Sequence, residues 1–251
     1  MSSKHYIPFH FHADGHALSG EFTRPFKHLI DAQASTSLPT IGGQSRALVE
    51  DFKVQEHISF RKGYSNVSGS KRPEGIFDTH ATAVVEQLNI LDVVTVDKVV
   101  ARLSSEHQVG EREGHIIAVG SKFENLRIAG YEVKIELYHD LFLKNKKFDD
   151  LRKHVDKDKD ARQTVIAKSD GVVLCSLVKS IETKAPGVEI RGNAIIVPHF
   201  GKIFVAEVLA EPGTRTLTMM RLELGSPHVA NLTVSESRTN GQPMPPVPSG
   251  T

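Results

Sequence analysis

The chain has a single cysteine, Cys175, and no tryptophan among its 251 residues. One thiol excludes an intramolecular disulfide framework. Val172, Val173, Leu174, Leu177 and Val178 surround it in sequence, which predicts a buried thiol acting as a small apolar residue rather than a nucleophile. With no Trp and four Tyr, the aromatic platforms used in sugar recognition and single-strand nucleic-acid binding are scarce. An excess of one charge is also missing: 31 Lys and Arg stand against 30 Asp and Glu. The resulting net charge of +1 gives no field for nucleic acid or an anionic membrane. No apolar run approaches the ~18 residues of a membrane-spanning helix, and the opening Met-Ser-Ser-Lys-His-Tyr-Ile-Pro has no signal-peptide core. These absences predict a cytoplasmic protein with neither nucleic acid nor membrane as its partner.

Strand signals dominate the remainder. Tyr131, Val133, Ile135 and Leu137 alternate with Glu132, Lys134, Glu136 and Tyr138, a half-buried pattern. Ile203, Val205 and Glu207 alternate with Phe204, Ala206 and Val208, apolar on nearly both faces as in a central strand. Met220, Leu222 and Leu224 oppose Arg221 and Glu223. Five valines between Leu91 and Leu103 favour another strand, with a short helix capped by Thr95 as the alternative. Frequent glycines, including Gly110, Gly114, Gly120 and Gly130, punctuate these runs. Leu126–Val133 and Val188–Ile195 share a pattern of apolar and charged residues around a turn glycine, and read as two unrelated hairpins. The expected fold is mainly β, an antiparallel sandwich or distorted barrel.

One helix is expected, from Asn145 to Arg162, where Phe148, Leu151 and Val155 recur at helical spacing among lysines and aspartates. The mixed signs of its charge describe a solvated face lying on the sheet. The chain accordingly divides into β-rich regions at 1–143 and 163–240, separated by the charged helix at 144–162 and completing one domain. A Pro-rich extended tail follows at 241–251.

Chemistry concentrates at one place. In strand geometry His10, His12, Asp14 and His16 share one face, and Phe11, Ala13, Gly15 and Ala17 the other. Histidines at i and i+2 on a strand, about 7 Å apart at Cα, can chelate one transition metal. A third ligand would come from Asp14, His16 or a distant histidine such as His80 or His199. The motif resembles the His-x-His-x-Asp-His of metallo-β-lactamase-like hydrolases, but Gly15 separates Asp14 from His16. It resembles the His-x-His of cupins too, yet no glutamate follows before Glu21. Neither resemblance extends beyond about a dozen residues, and neither implies a fold or activity.

Other chemical candidates are thinner. Gly42-Gly43-Gln44-Ser45 lacks the Gly-x-Ser-x-Gly elbow and reads as a flexible loop. Phosphate-binding glycine motifs are absent. Asp78-Thr79-His80 could orient an imidazole at a strand entry, and His199 follows the apolar strand Ala194–Val197. The leading expectation is a non-catalytic structural or binding protein that self-associates as a homo-oligomer, with no cofactor. The alternatives are a metal-dependent enzyme using the His10, His12 and His16 face with a divalent transition metal, and a carrier holding a small ligand in an apolar barrel interior.

Overall fold

The computed structural model describes residues 9–108, 111, 113–157, 165–169 and 171–243. The first half holds β1 (Phe9–Phe22), β2 (His28–Gln33), β3 (Thr36–Ser37), β4 (Gly43–Val54), β5 (Ile58–Lys71), β6 (Ile76–Ile90) and β7 (Val94–Gln108). Short strands β8 (His115–Ile117), β9 (Lys122–Glu124) and β10 (Arg127–Ile128) precede β11 (Tyr131–Leu137) and helices α1 (Asp140–Lys144) and α2 (Phe148–Lys157). Then come β12 (Val165–Ser169), β13 (Val172–Ser176), β14 (Val178–Thr183), β15 (Glu189–Arg191) and β16 (Ala194–Val197). The chain finishes through β17 (Gly201–Glu211), β18 (Thr214–Leu224) and β19 (Ala230–Pro243).

Two antiparallel sheets form a sandwich. In the first the order is β12-β13-β17-β18-β19-β1-β2, with β3 on β1 and the β15–β16 hairpin on β17. In the second it is β14-β11-β10-β7-β6-β5-β4, with β8 and β9 on β7. Both expected hairpins are present, β10–β11 and β15–β16. The regions before and after the helices interleave: β1 pairs with β19, and β14 joins β11 in the other sheet.

Five local expectations are corrected. Thr95 lies inside β7, where β-branched side chains alternate between a packed and an exposed face, so no helix begins there. Gly43 opens β4, and Gln44 and Ser45 are strand residues paired with Ser68 and Val67. The helix starts at Phe148 rather than Asn145, because Asn145 caps the end of α1, its amide bonding the Leu141 carbonyl. That helix is not merely laid on the surface: Phe148 and Leu151 are buried in the main core. Finally, β19 continues to Pro243, into the segment expected to be an extended tail. The rest of that tail, and the expected helix end beyond Lys157, lie outside the described residues.

The core has an unusual interface. Along β19, Ser235, Ser237 and Thr239 point between the sheets and are fully buried. Ser235 Oγ donates to the Val99 carbonyl and Ser237 Oγ to the Ala101 carbonyl, both at 3.2 Å and both on β7 of the opposite sheet. A serine hydroxyl sits one bond beyond Cβ, so the backbones here approach more closely than the ~10 Å usual for stacked sheets. Small residues on both sides permit this: Ala13, Gly15 and Ala17 on β1, Gly63 and Ser65 on β5, Ala81 and Ala83 on β6. A second cluster fills one end, where Phe9 stacks on Phe77 at 4.2 Å and Phe11 meets both edge-on.

Strict alternation fails at one level of each sheet. In the first sheet two successive residues are buried on each of four strands: Ala17-Leu18, Val205-Ala206, Met219-Met220 and Val234-Ser235. In the second, two successive polar residues face outward on each of four strands: Glu50-Asp51, Arg61-Lys62, Glu86-Gln87 and Asp97-Lys98. Left-handed backbone at Ala206, Ser235, Asp51 and Gln87, φ 49–53°, accomplishes the flips. The two creases meet, because a Cβ added to Gly63 would lie 2.9 Å from that of Ala17.

Candidate functional site

β1 carries the histidine face as its spacing dictates. Phe9, Phe11, Ala13, Gly15 and Ala17 are buried, while His10 is exposed and His12, Asp14 and His16 are half-buried on the outer side. His12 Nε2 lies 3.1 Å from Asp14 Oδ2 without the alignment of a hydrogen bond. His16 Nε2 instead meets Ser19 Oγ at 2.9 Å. Across the ladder His16 faces Glu236, and Asp14 sits between Arg238 on β19 and Ser37 on β3. Burial holds the His16 imidazole below its ordinary pKa, against the opposing pull of Glu236 and Asp14.

The proposed distant partners are elsewhere. His80 is exposed on β6 of the other sheet, where its Nδ1 meets Ser104 Oγ at 2.9 Å. His199 occupies the β16–β17 turn with φ 59°, two residues before Gly201, which pairs with Leu224 and through it lies level with Ala230 at the start of β19, whereas His10 pairs with Gln242 at the opposite end of β19. Asp78 does not orient His80, because both its carboxylate oxygens bond Arg72. Among the described residues no three His, Cys, Asp or Glu side chains come together as a metal-binding set. What this face offers is an imidazole beside a carboxylate and a second, desolvated imidazole. Cys175 is fully buried, which pushes its thiol up to about 12 and leaves it unreactive.

Sequence reasoning missed three features. The first is a groove of about 690 Å³ on the outer face of the second sheet, lined by the four outward pairs and Glu124 of β9. Several of its charges are already partnered: Lys98 Nζ meets Glu86 at 2.8 Å and Lys62 lies 3.9 Å from Glu50, while Asp97 accepts a hydrogen bond from the Asn125 amide at 2.7 Å. The doubled polar residues were its sequence signal. The second is Arg215, completely buried on β18. Its guanidinium donates to the carbonyls of Glu211 and Thr214 and lies 3.7 Å from Glu113. Glu113 Oε1 also accepts the amides of Phe148, at the start of α2, and of Gly213. No local pattern marked that pair.

The third feature is an edge. β2, β12 and β14 end their sheets with five or six residues each, whereas β4 ends the second sheet with twelve. Its outer face shows Arg46, Leu48 and Glu50, with Leu48 46% exposed. Ala47 and Val49 face the core and are only half covered. No described strand pairs with its free side. Among the protections of a strand edge, short length, proline and inward charge are all missing from Gly43–Glu50, whose two charged residues, Arg46 and Glu50, face outward.

Among the described residues no helix is long and apolar enough to cross a membrane. No curated protein and no solved structure matches the chain. One family model does, over residues 9–169 and again over 152–211. These matches together run from 9 to 211, most of the 251 residues, and the chain belongs to that family, the Domain of unknown function (DUF8256).

Proposed function

We propose that the chain is a non-catalytic β-sandwich that works by associating with copies of itself, a structural or scaffolding homo-oligomer. The observation that carries this reading is β4, a twelve-residue sheet edge with an uncovered ladder and exposed Leu48. Unpaired strand amides and carbonyls form a ready template for another strand. The other surfaces support ligand chemistry less well. Small-molecule sites are mostly apolar with a few placed polar groups. The crease groove is lined instead by charged residues and Gln87, with several of its charges already paired. The space between the sheets is occupied by side chains and crossed by the Ser235 and Ser237 hydroxyls.

Light scattering on the purified protein tests the reading. The expected mass is a multiple of the chain mass, reduced to one chain by Leu48→Lys; a monomer at every concentration refutes it. Metal analysis of the same sample, beside His10→Ala/His12→Ala, addresses the enzyme alternative. The expected result is no stoichiometric metal in either protein, whereas metal lost with the histidines would favour the metalloenzyme.

A further inference from the structure

If β4 is the contact, the sequence of that strand selects its register. We propose that β4 pairs antiparallel with β4 of a second copy about a twofold axis through Leu48, joining the two nine-stranded sheets edge to edge. This rests on the self-association reading above and adds the partner surface and its alignment. A twofold axis perpendicular to the sheets keeps both core faces on the same side, so an outer residue must meet an outer residue. The axis therefore passes through a residue and not between two. Centring on Arg46 sets Arg46 against the partner's Arg46, and centring on Glu50 sets two carboxylates together. Centring on Ala47 or Val49 places Leu48 opposite the partner's Arg46 or the partner's Glu50.

Only the Leu48 centre satisfies every outward position of the central stretch. Arg46 then faces the partner's Glu50 twice over, and Leu48 packs on the partner's Leu48. On the core side Ala47 meets the partner's Val49, extending the apolar layer that both residues already flank. Opposite charges and apolar pairs directly across strands stabilise a ladder, and like charges weaken it. The left-handed residue at Asp51, φ 52°, ends the regular stretch on one side, and the glycine turn at Gly42-Gly43 ends it on the other. A contact of this length is smaller than a standard interface of ~1,600 Å², so the dimer should dissociate on dilution.

Cysteine scanning and charge reversal test the register. Paired strands hold opposite Cα atoms ~4.5–5.5 Å apart, within disulfide range. Leu48→Cys should cross-link to a covalent dimer under mild oxidation, with buried Cys175 silent. Arg46→Cys should not, because its two copies would stand four residues out of register, ~13 Å apart along the strands. Arg46→Glu and Glu50→Arg should each weaken the dimer by about tenfold or more, and the double exchange should restore it. Circular dichroism establishes that each variant is folded. A wild-type oligomer that ignores the charge changes and does not cross-link at position 48 overturns this register while leaving self-association standing. A wild type that stays monomeric overturns both.

Discussion

Acid should reach this fold through two imidazoles. His16 is desolvated beneath the outer face of β1, and His107 is buried with Nε2 2.7 Å from the Glu111 carbonyl. A carbonyl only accepts, so Nε2 of His107 carries the proton, and Nδ1, the accepting nitrogen of the neutral ring, has no hydrogen-bond partner among the described residues. Burial holds both groups below the ordinary histidine pKa. A group with a lowered folded pKa binds its proton more readily in the unfolded chain, at about pH 6.5. Stability from the neutral form is therefore present above that pH and is lost as the pH falls toward the folded values. The thermal midpoint should drop between about pH 7.5 and about pH 5.5, and His16→Gln should make the drop shallower. A midpoint that is flat or rises over that range contradicts the assignment. The alternation around His16 was legible because a strand of period two leaves no choice of face. The partners of His16 were not, since Ser19 depends on local geometry and Glu236 lies more than two hundred residues away.

At the scale of elements the structure is held by contacts that link distant strands. Glu113 gathers the amide of Phe148, the amide of Gly213 and the guanidinium of Arg215, and so fastens α2 and the β17–β18 turn to the segment after β7. Glu113→Ala strands a buried cation and should cost about 3 kcal/mol in chemical denaturation. Glu113→Gln, which gives up the charge but keeps an acceptor for the two amides, should cost less; equal losses would mean that the charge beside Arg215 is what matters there and the acceptor is not. The crease makes a second demand. An added methyl at Gly63 would meet Ala17 Cβ and the Phe60 ring, each at 2.9 Å, so Gly63→Ala should destabilise by ~1–3 kcal/mol through overpacking. A neutral or stabilising effect would show that the sheets can separate there. Strand content, both hairpins and the apolar stripe of α2 were legible from local pattern. The crease was legible only as pairs such as Glu50-Asp51 and Met219-Met220, whose meaning appears when neighbouring strands place their pairs at one height. Arg215 gave no signal at all, because its partner comes from another loop.

At the scale of the molecule, the abundance of strand signals correctly implied a mainly β antiparallel sandwich, but not how its sheets are assembled. Antiparallel pairing of β1 with β19 is set by contacts across almost the whole chain, and short-range pattern carries no trace of it. The same limit explains why the edge went unrecognised: whether a strand is central or terminal depends on its neighbours in space. Three terminal strands are short and β4 is long, and on that ground the proposed assembly is placed at the Gly43–Glu50 segment. Hydrogen exchange of the backbone amides at low and high protein concentration tests that claim most directly. The account predicts that amides on the free side of β4, from Gly43 to Glu50, become protected at high concentration, while the edges at β2, β12 and β14 exchange at unchanged rates. Exchange from β4 that is fast and independent of concentration would contradict it.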